Sequence, residues 1–156
     1  MYGYPIFNVL ASIIQNMDEF KFHHPIEVRY ADLDPQGHVN SARFLTYFEQ
    51  ARVSYLIQLG LFSKDQSFLN VGIIIADSKV TFLAPVYFGQ DVQVGVRVSR
   101  IGNKSLTMEY QIIDGTDGRQ LATGSTTLVA YDYHLHKTIL VPDEWRTKIH
   151  HFENGE

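Results

Sequence analysis

Residues 31–44 read ADLDPQGHVNSARF and place Asp32, Asp34, Pro35, Gly37 and His38 within seven positions. A carboxylate in such a turn can attack an acyl carbonyl directly, or activate a water against it. Asn40 is a strong N-cap, so a helix is expected to begin at once behind the turn. A helix start offers unpaired N–H groups and about half a positive charge, which suits an oxygen that turns negative during acyl transfer. Thioesters fit this chemistry best, because their weak resonance leaves the carbonyl electrophilic without a metal. His38 could orient the water or steady the carbonyl oxygen. The same residues also build an ordinary turn. Asp and Asn cap amides, Pro fixes φ, Gly takes conformations closed to others, and His38 then simply packs.

The flanking elements decide how such a turn would be held. IEVRYA (26–31) alternates like a half-buried strand, with Ile26, Val28 and Tyr30 on one face. From Asn40, Phe44, Phe48, Ala51, Tyr55 and Leu59 recur at steps of three and four, and Leu45, Tyr47 and Leu56 widen the apolar surface. Gly60 supplies the stop. After residue 70 the period falls to two. Val92, Val94, Val96 and Val98 alternate in DVQVGVRVSR, and SLTMEYQII and RQLATGSTTLVAYDY continue the pattern. GNKS and DGTDG join these runs as turns, Pro85 and Gly89 mark an earlier corner, and short connections imply antiparallel neighbours. VPDEWRTKI predicts a short closing helix with Trp145 inward. The order strand, long helix, four strands predicts an α+β domain over 23–156, a curved five-stranded antiparallel sheet wrapped around one long central helix. Residues 1–22 read as an N-terminal extension, helical by the spacing of Phe7, Leu10, Ile13, Ile14 and Met17; Met17 is also a candidate natural start.

Composition narrows the function classes. With 156 residues, 45% hydrophobic and 19% charged, the chain is expected to bury a core as one domain. Thirteen basic against seventeen acidic residues give a net charge of −4, which argues against wholesale nucleic-acid binding. The absence of cysteine excludes a disulfide framework, a thiolate metal site and a cysteine nucleophile. Apolar runs such as VGIIIA are too short to span a bilayer, and the N-terminus lacks a basic region and a cleavage site, so a cytoplasmic protein is expected. His23–His24, His134 with His136, and His150–His151 have no recognisable ligand spacing, so neither a metal nor another cofactor is expected. Glycine-rich phosphate loops and serine nucleophile elbows are missing as well.

VRYADLDPQGHVNSARFLTYFEQAR resembles the opening of hotdog-fold acyl-CoA thioesterases of the 4-hydroxybenzoyl-CoA thioesterase type. PVYFGQDVQV resembles that family's next strand corner, and RIGNKSLTMEYQI its following hairpin, so the likeness runs over about residues 26–145. It implies that Asp34 is the essential carboxylate, that the amide near Ser41 polarises the thioester carbonyl, and that Asp32 supports the turn. His38 then assists, Gly37 and Asn40 border the substrate, and Phe44, Tyr47 and Phe48 surround the acyl group. Arg100, Lys104 and Ser105, with Arg97 nearby, would meet the phosphates of CoA, although charged side chains beside a turn are also commonly just solvated. The segment is also similar to D-x-N-x-H-V-N of plant-type acyl-carrier-protein thioesterases, with Gln36 where that pattern has Asn. The expected function is hydrolysis of acyl-CoA thioesters. Acyl-carrier-protein esters, or acyl-thioester binding without catalysis, are the alternatives. The likeness further implies a homodimer or homotetramer with the site between subunits.

Overall fold

The computed structural model describes residues 19–70 and 72–155. The helix expected in the N-terminal extension lies outside them. The elements in chain order are β1 (Phe22–Ile26), α1 (Ser41–Gln58), β2 (Ile73–Phe82), β3 (Val92–Ile101), β4 (Ser105–Asp114), β5 (Gln120–Asp132), β6 (Lys137–Thr138) and α2 (Asp143–Asn154). The sheet is antiparallel in the order β1-β3-β4-β5-β2, with β6 paired to the end of β5. It therefore has six strands where five were expected, the sixth only two residues long.

Two sequence expectations need correcting. The first strand lies earlier than 26–31, because the chain leaves the sheet after Ile26 and winds into a 3-10 turn at Tyr30–Asp32. The Asp32 carboxylate takes the Arg29 amide at 3.0 Å, a local bond that competes with the ladder. Ile26 and Val28 are buried as expected, whereas Tyr30 stands in solvent. Second, β2 does not neighbour β3. It pairs with β5 at one edge, while β3 lies beside β1, so residues 83–91 must carry the chain across. Val86 is buried in that crossing, and its carbonyl accepts the Val39 amide at 2.7 Å. The corner is thereby tied to the residues just before α1.

α1 follows its sequence signals closely. The Asn40 side chain caps the Ala42 amide at 2.9 Å, and Gly60 takes a φ of +65° just past the end, as a cap and a stop should. Its buried stripe is Phe44, Tyr47, Phe48, Ala51, Arg52, Tyr55 and Leu56. Each fully buried aromatic contributes roughly 1.5–3 kcal/mol. The Phe48 ring stacks on Tyr110 of β4 at 4.4 Å. Gly124 of β5 makes this approach feasible, since a Cβ there would stand 2.3 Å from the Phe48 ring. Arg52, nearly buried, donates to the Tyr110 hydroxyl and lies 3.9 Å from Glu49. α2 is the expected closing segment with Trp145 half-buried against the core, and it makes a second helix beside α1. It is latched by Glu153, which accepts from the Tyr55 hydroxyl at 2.5 Å and from the Val98 amide at 2.9 Å, beside a bulge in β3.

Candidate active site

The two aspartates of the turn have parted company. Asp32 is fully buried. One carboxylate oxygen receives the Arg29 guanidinium at 2.8 Å, and the other the Tyr47 hydroxyl at 3.1 Å. Arg43 approaches at 3.6 Å, and the Asp32 carbonyl accepts the Asn40 amide. The hydrogen bond from Arg29, more than any other contact, holds the Asp32 carboxyl below the usual carboxylate range. Burial, then the charge of Asp32, pushes the Tyr47 hydroxyl up. Every face of this carboxylate is engaged, so it serves as the bolt between turn and helix.

Asp34 keeps a partly open face. Its Oδ1 accepts the Gln36 amide at 2.8 Å, and its Oδ2 lies 3.5 Å from His38 Nδ1. The Asp34 amide donates to the His38 carbonyl, and the Gly37 amide to the Asp34 carbonyl, which closes a tight loop around the carboxylate. That loop needs a φ of +85° at Gly37, a left-handed conformation that glycine adopts without strain. The helix end lies alongside. Asn40 uses its side chain on Ala42 and its carbonyl on Arg43, so these caps leave the Ser41 amide unclaimed. His38 is partly exposed, forms a bridge to Tyr87 of the crossing segment, and meets that ring edge-on.

Asp34, Gln36, His38 and Ser41 form the polar end of a cavity of about 450 Å³. Its remaining walls are Val39 and Phe44 on one side and Phe82, Leu83, Ala84 and Pro85 on the other. The second wall was missed from sequence. Its signal was the run TFLAPVYF, which stays apolar where β2 should have kept alternating. Of the three aromatics expected to surround an acyl group, Phe44 reaches the cavity and meets Phe82 edge-to-face at 4.9 Å. Tyr47 and Phe48 do not; both are engaged in the core, one on Asp32 and the other on Tyr110. Gly37 and Asn40 shape the loop and cap the helix.

The residues expected to meet CoA phosphates are elsewhere in the chain. Ser105 pairs with Val129 next to the β3–β4 hairpin, Lys104 donates to Thr138, and Arg100 is exposed. That hairpin lies at the far end of β3 from Val92, roughly 30 Å along the strand at about 3.3 Å per residue. Arg97 sits within β3 rather than at the turn, paired with Glu109 and Glu19 and over the Phe20 ring. Among the described residues, no three His, Asp or Glu side chains converge as metal ligands, and no helix is long and apolar enough to cross a membrane.

A profile of the thioesterase-like superfamily matches residues 28–149, from just past β1 to the body of α2. The chain belongs to that superfamily. A thioesterase from Thermus thermophilus, solved with coenzyme A and zinc, is 33% identical. The match covers 88% of this chain and 98% of that one, with a TM-score of 0.77. The hotdog thioesterase fold is thus shared. A 1,4-dihydroxy-2-naphthoyl-CoA hydrolase from Thermosynechococcus vestitus is 27% identical over 74% of this chain and 80% of its own. The long-chain acyl-CoA thioesterase FadM of Escherichia coli is 24% identical over 80% and 93%. The names of these two relatives carry very different acyl groups.

Proposed function

We propose that the chain hydrolyses acyl-CoA thioesters at Asp34, on the active-site plan of the 4-hydroxybenzoyl-CoA thioesterase type. The observation that carries this reading is the placement of a partly open carboxylate, a helix-start amide left unclaimed by the caps, and an apolar cavity around one point. The thioester carbonyl oxygen points at the Ser41 amide, where the amide and the helix end stabilise the negative charge of the tetrahedral intermediate. Asp34 takes a proton from water as the water oxygen bonds to the carbonyl carbon, or attacks that carbon itself to give an anhydride that water then opens. In either course the C–S bond breaks, CoA leaves as thiolate and takes up a proton, and the free acid departs. His38, at 3.5 Å from Oδ2, orients the carboxylate or the water.

A second copy of the chain belongs to the proposal. β2 is an edge strand with Ile74, Ile75 and Phe82 exposed, an unpaired ladder of the kind that recruits another strand. Pairing there would cover this apolar edge and bring another protomer close to Phe82 and Leu83 of the cavity. Arg100, Lys104 and Ser105 do not line the Asp34 cavity of their own chain, so in this reading they serve the partner's site. Thiol release from a panel of acyl-CoA esters tests the activity. Turnover that disappears in a folded Asp34→Ala variant supports it; no turnover by the wild type, or full activity in the variant, refutes it. An acyl-carrier-protein ester that outperforms every CoA ester would change the carrier.

A further inference from the structure

The acyl end of the cavity has a chemical bias that the relatives do not settle. Its walls are Val39, Phe44, Phe82, Leu83, Ala84 and Pro85, without a polar side chain among them. The peptide donors are occupied too. The amides of Leu83 and Ala84 both go to the Leu121 carbonyl at 3.0 Å, the Val39 amide goes to Val86, and Pro85 has none. All side-chain polarity of the cavity is gathered at Asp34, Gln36, His38 and Ser41, where the carbonyl must sit for hydrolysis. Leu83 of these walls is more than half exposed, and elsewhere on the surface Tyr30 meets Phe88 edge-on at 6.3 Å.

From this distribution, and resting on the hydrolase reading above, we infer that the natural acyl group carries no polar substituent beyond its carbonyl. Phe82, facing Phe44 from the edge strand, is the side chain that selects its shape. A ring hydroxyl inserted between these walls would leave water for a surface with no polar side chain and with the amides of Val39, Leu83 and Ala84 already engaged, so only peptide carbonyls are left to receive its proton. An unpaired buried hydroxyl costs roughly 1–3 kcal/mol in protein settings, which corresponds to about 5–150-fold in kcat/KM. An unbranched or plain aryl group suffers no such loss. Phe82 is half exposed, so trimming it changes the cavity more than the core.

The test compares benzoyl-CoA with 4-hydroxybenzoyl-CoA, alongside saturated acyl-CoA esters from two to sixteen carbons, on wild type and Phe82→Ala. The matched aryl pair isolates one hydroxyl. We expect the hydroxylated ester to be at least 10-fold poorer in kcat/KM. In Phe82→Ala the optimum of the saturated series should move to bulkier acyl groups, with at least a 5-fold change in the ratio of long to short esters. A loss of fold would lower all esters together and leave their ratios unchanged, so the ratio is the deciding readout. Equal or better hydrolysis of the hydroxylated ester overturns the inference while leaving the hydrolase reading standing. An unchanged ratio in a Phe82→Ala variant whose thermal melting shows it folded overturns the role of Phe82. Failure to hydrolyse any ester removes the hydrolase reading itself, and the inference with it.

Discussion

The inner and outer sides of one short turn hold two aspartates in opposite surroundings. On the inner side, Asp32 is fully buried, and Arg29, Tyr47 and Arg43 surround its carboxylate. On the outer side, Asp34 shares the turn but commits one oxygen to Gln36, and keeps the other beside His38 and a cavity of about 450 Å³. Both are aspartates, two positions apart in one turn. Their difference comes from position relative to the helix start. A carboxylate whose partners are all bonded to it stabilises; one that keeps an unbonded face can react. In the proposed reading the chemistry therefore falls to the second aspartate, which keeps an open face.

That contrast can be broken from either side. Asp32→Asn should cost the most stability. It removes the charge from bonds to Arg29, Tyr47 and Arg43, worth about 3 kcal/mol or on the order of 10 °C in Tm by thermal melting. Because its pKa is depressed in the fold, this contribution is fully present above the unfolded value of about 3.9 and is lost as pH falls through the lower folded value. Wild-type melting should therefore drop more steeply than that of Asp32→Asn as pH is lowered from about 4, and parallel curves would deny Asp32 its role. Gly37→Ala works on the other side. The φ of +85° at this position strains alanine by about 1 kcal/mol, and the strain distorts the loop around Asp34 while sparing the contacts of Asp32. Thiol-release kinetics should show a loss of several-fold in kcat, out of proportion to that small change in melting. Tyr47→Phe is the mildest change. Losing one hydroxyl from Asp32 should lower stability by about 1 kcal/mol and leave kcat within about 2-fold, which a paired melt and assay would show.

Much of the frame was legible beforehand for local reasons. Asn40 capping α1, Gly60 ending it, and the alternating valines of β3 are signals carried by neighbouring residues, and the structure repeats them. The rest was set by distant partners. Nothing near residue 82 announces that β2 pairs with β5, so the crossing at 83–91, and with it the second cavity wall, could not be read from periodicity. Tyr47 and Phe48 share a helical face with Phe44, yet Asp32 and Tyr110 claim them for the core. The first strand was misplaced because the bond from the Arg29 amide to Asp32 outcompetes extended pairing there. Asp34 was singled out by resemblance alone, since turn chemistry treats it and Asp32 alike.

The most direct test places Asp34→Asn and Asp32→Asn side by side, each measured for thiol release from one good acyl-CoA substrate and for thermal melting. Crossed losses are expected. Asp34→Asn should fall about 10³-fold in kcat with Tm within about 2 °C of wild type, whereas Asp32→Asn should melt far earlier yet keep most of its turnover at temperatures where it is folded. A folded Asp34→Asn that turns over at the wild-type rate, or an Asp32→Asn that is stable but inactive, would contradict the division of labour between the two aspartates.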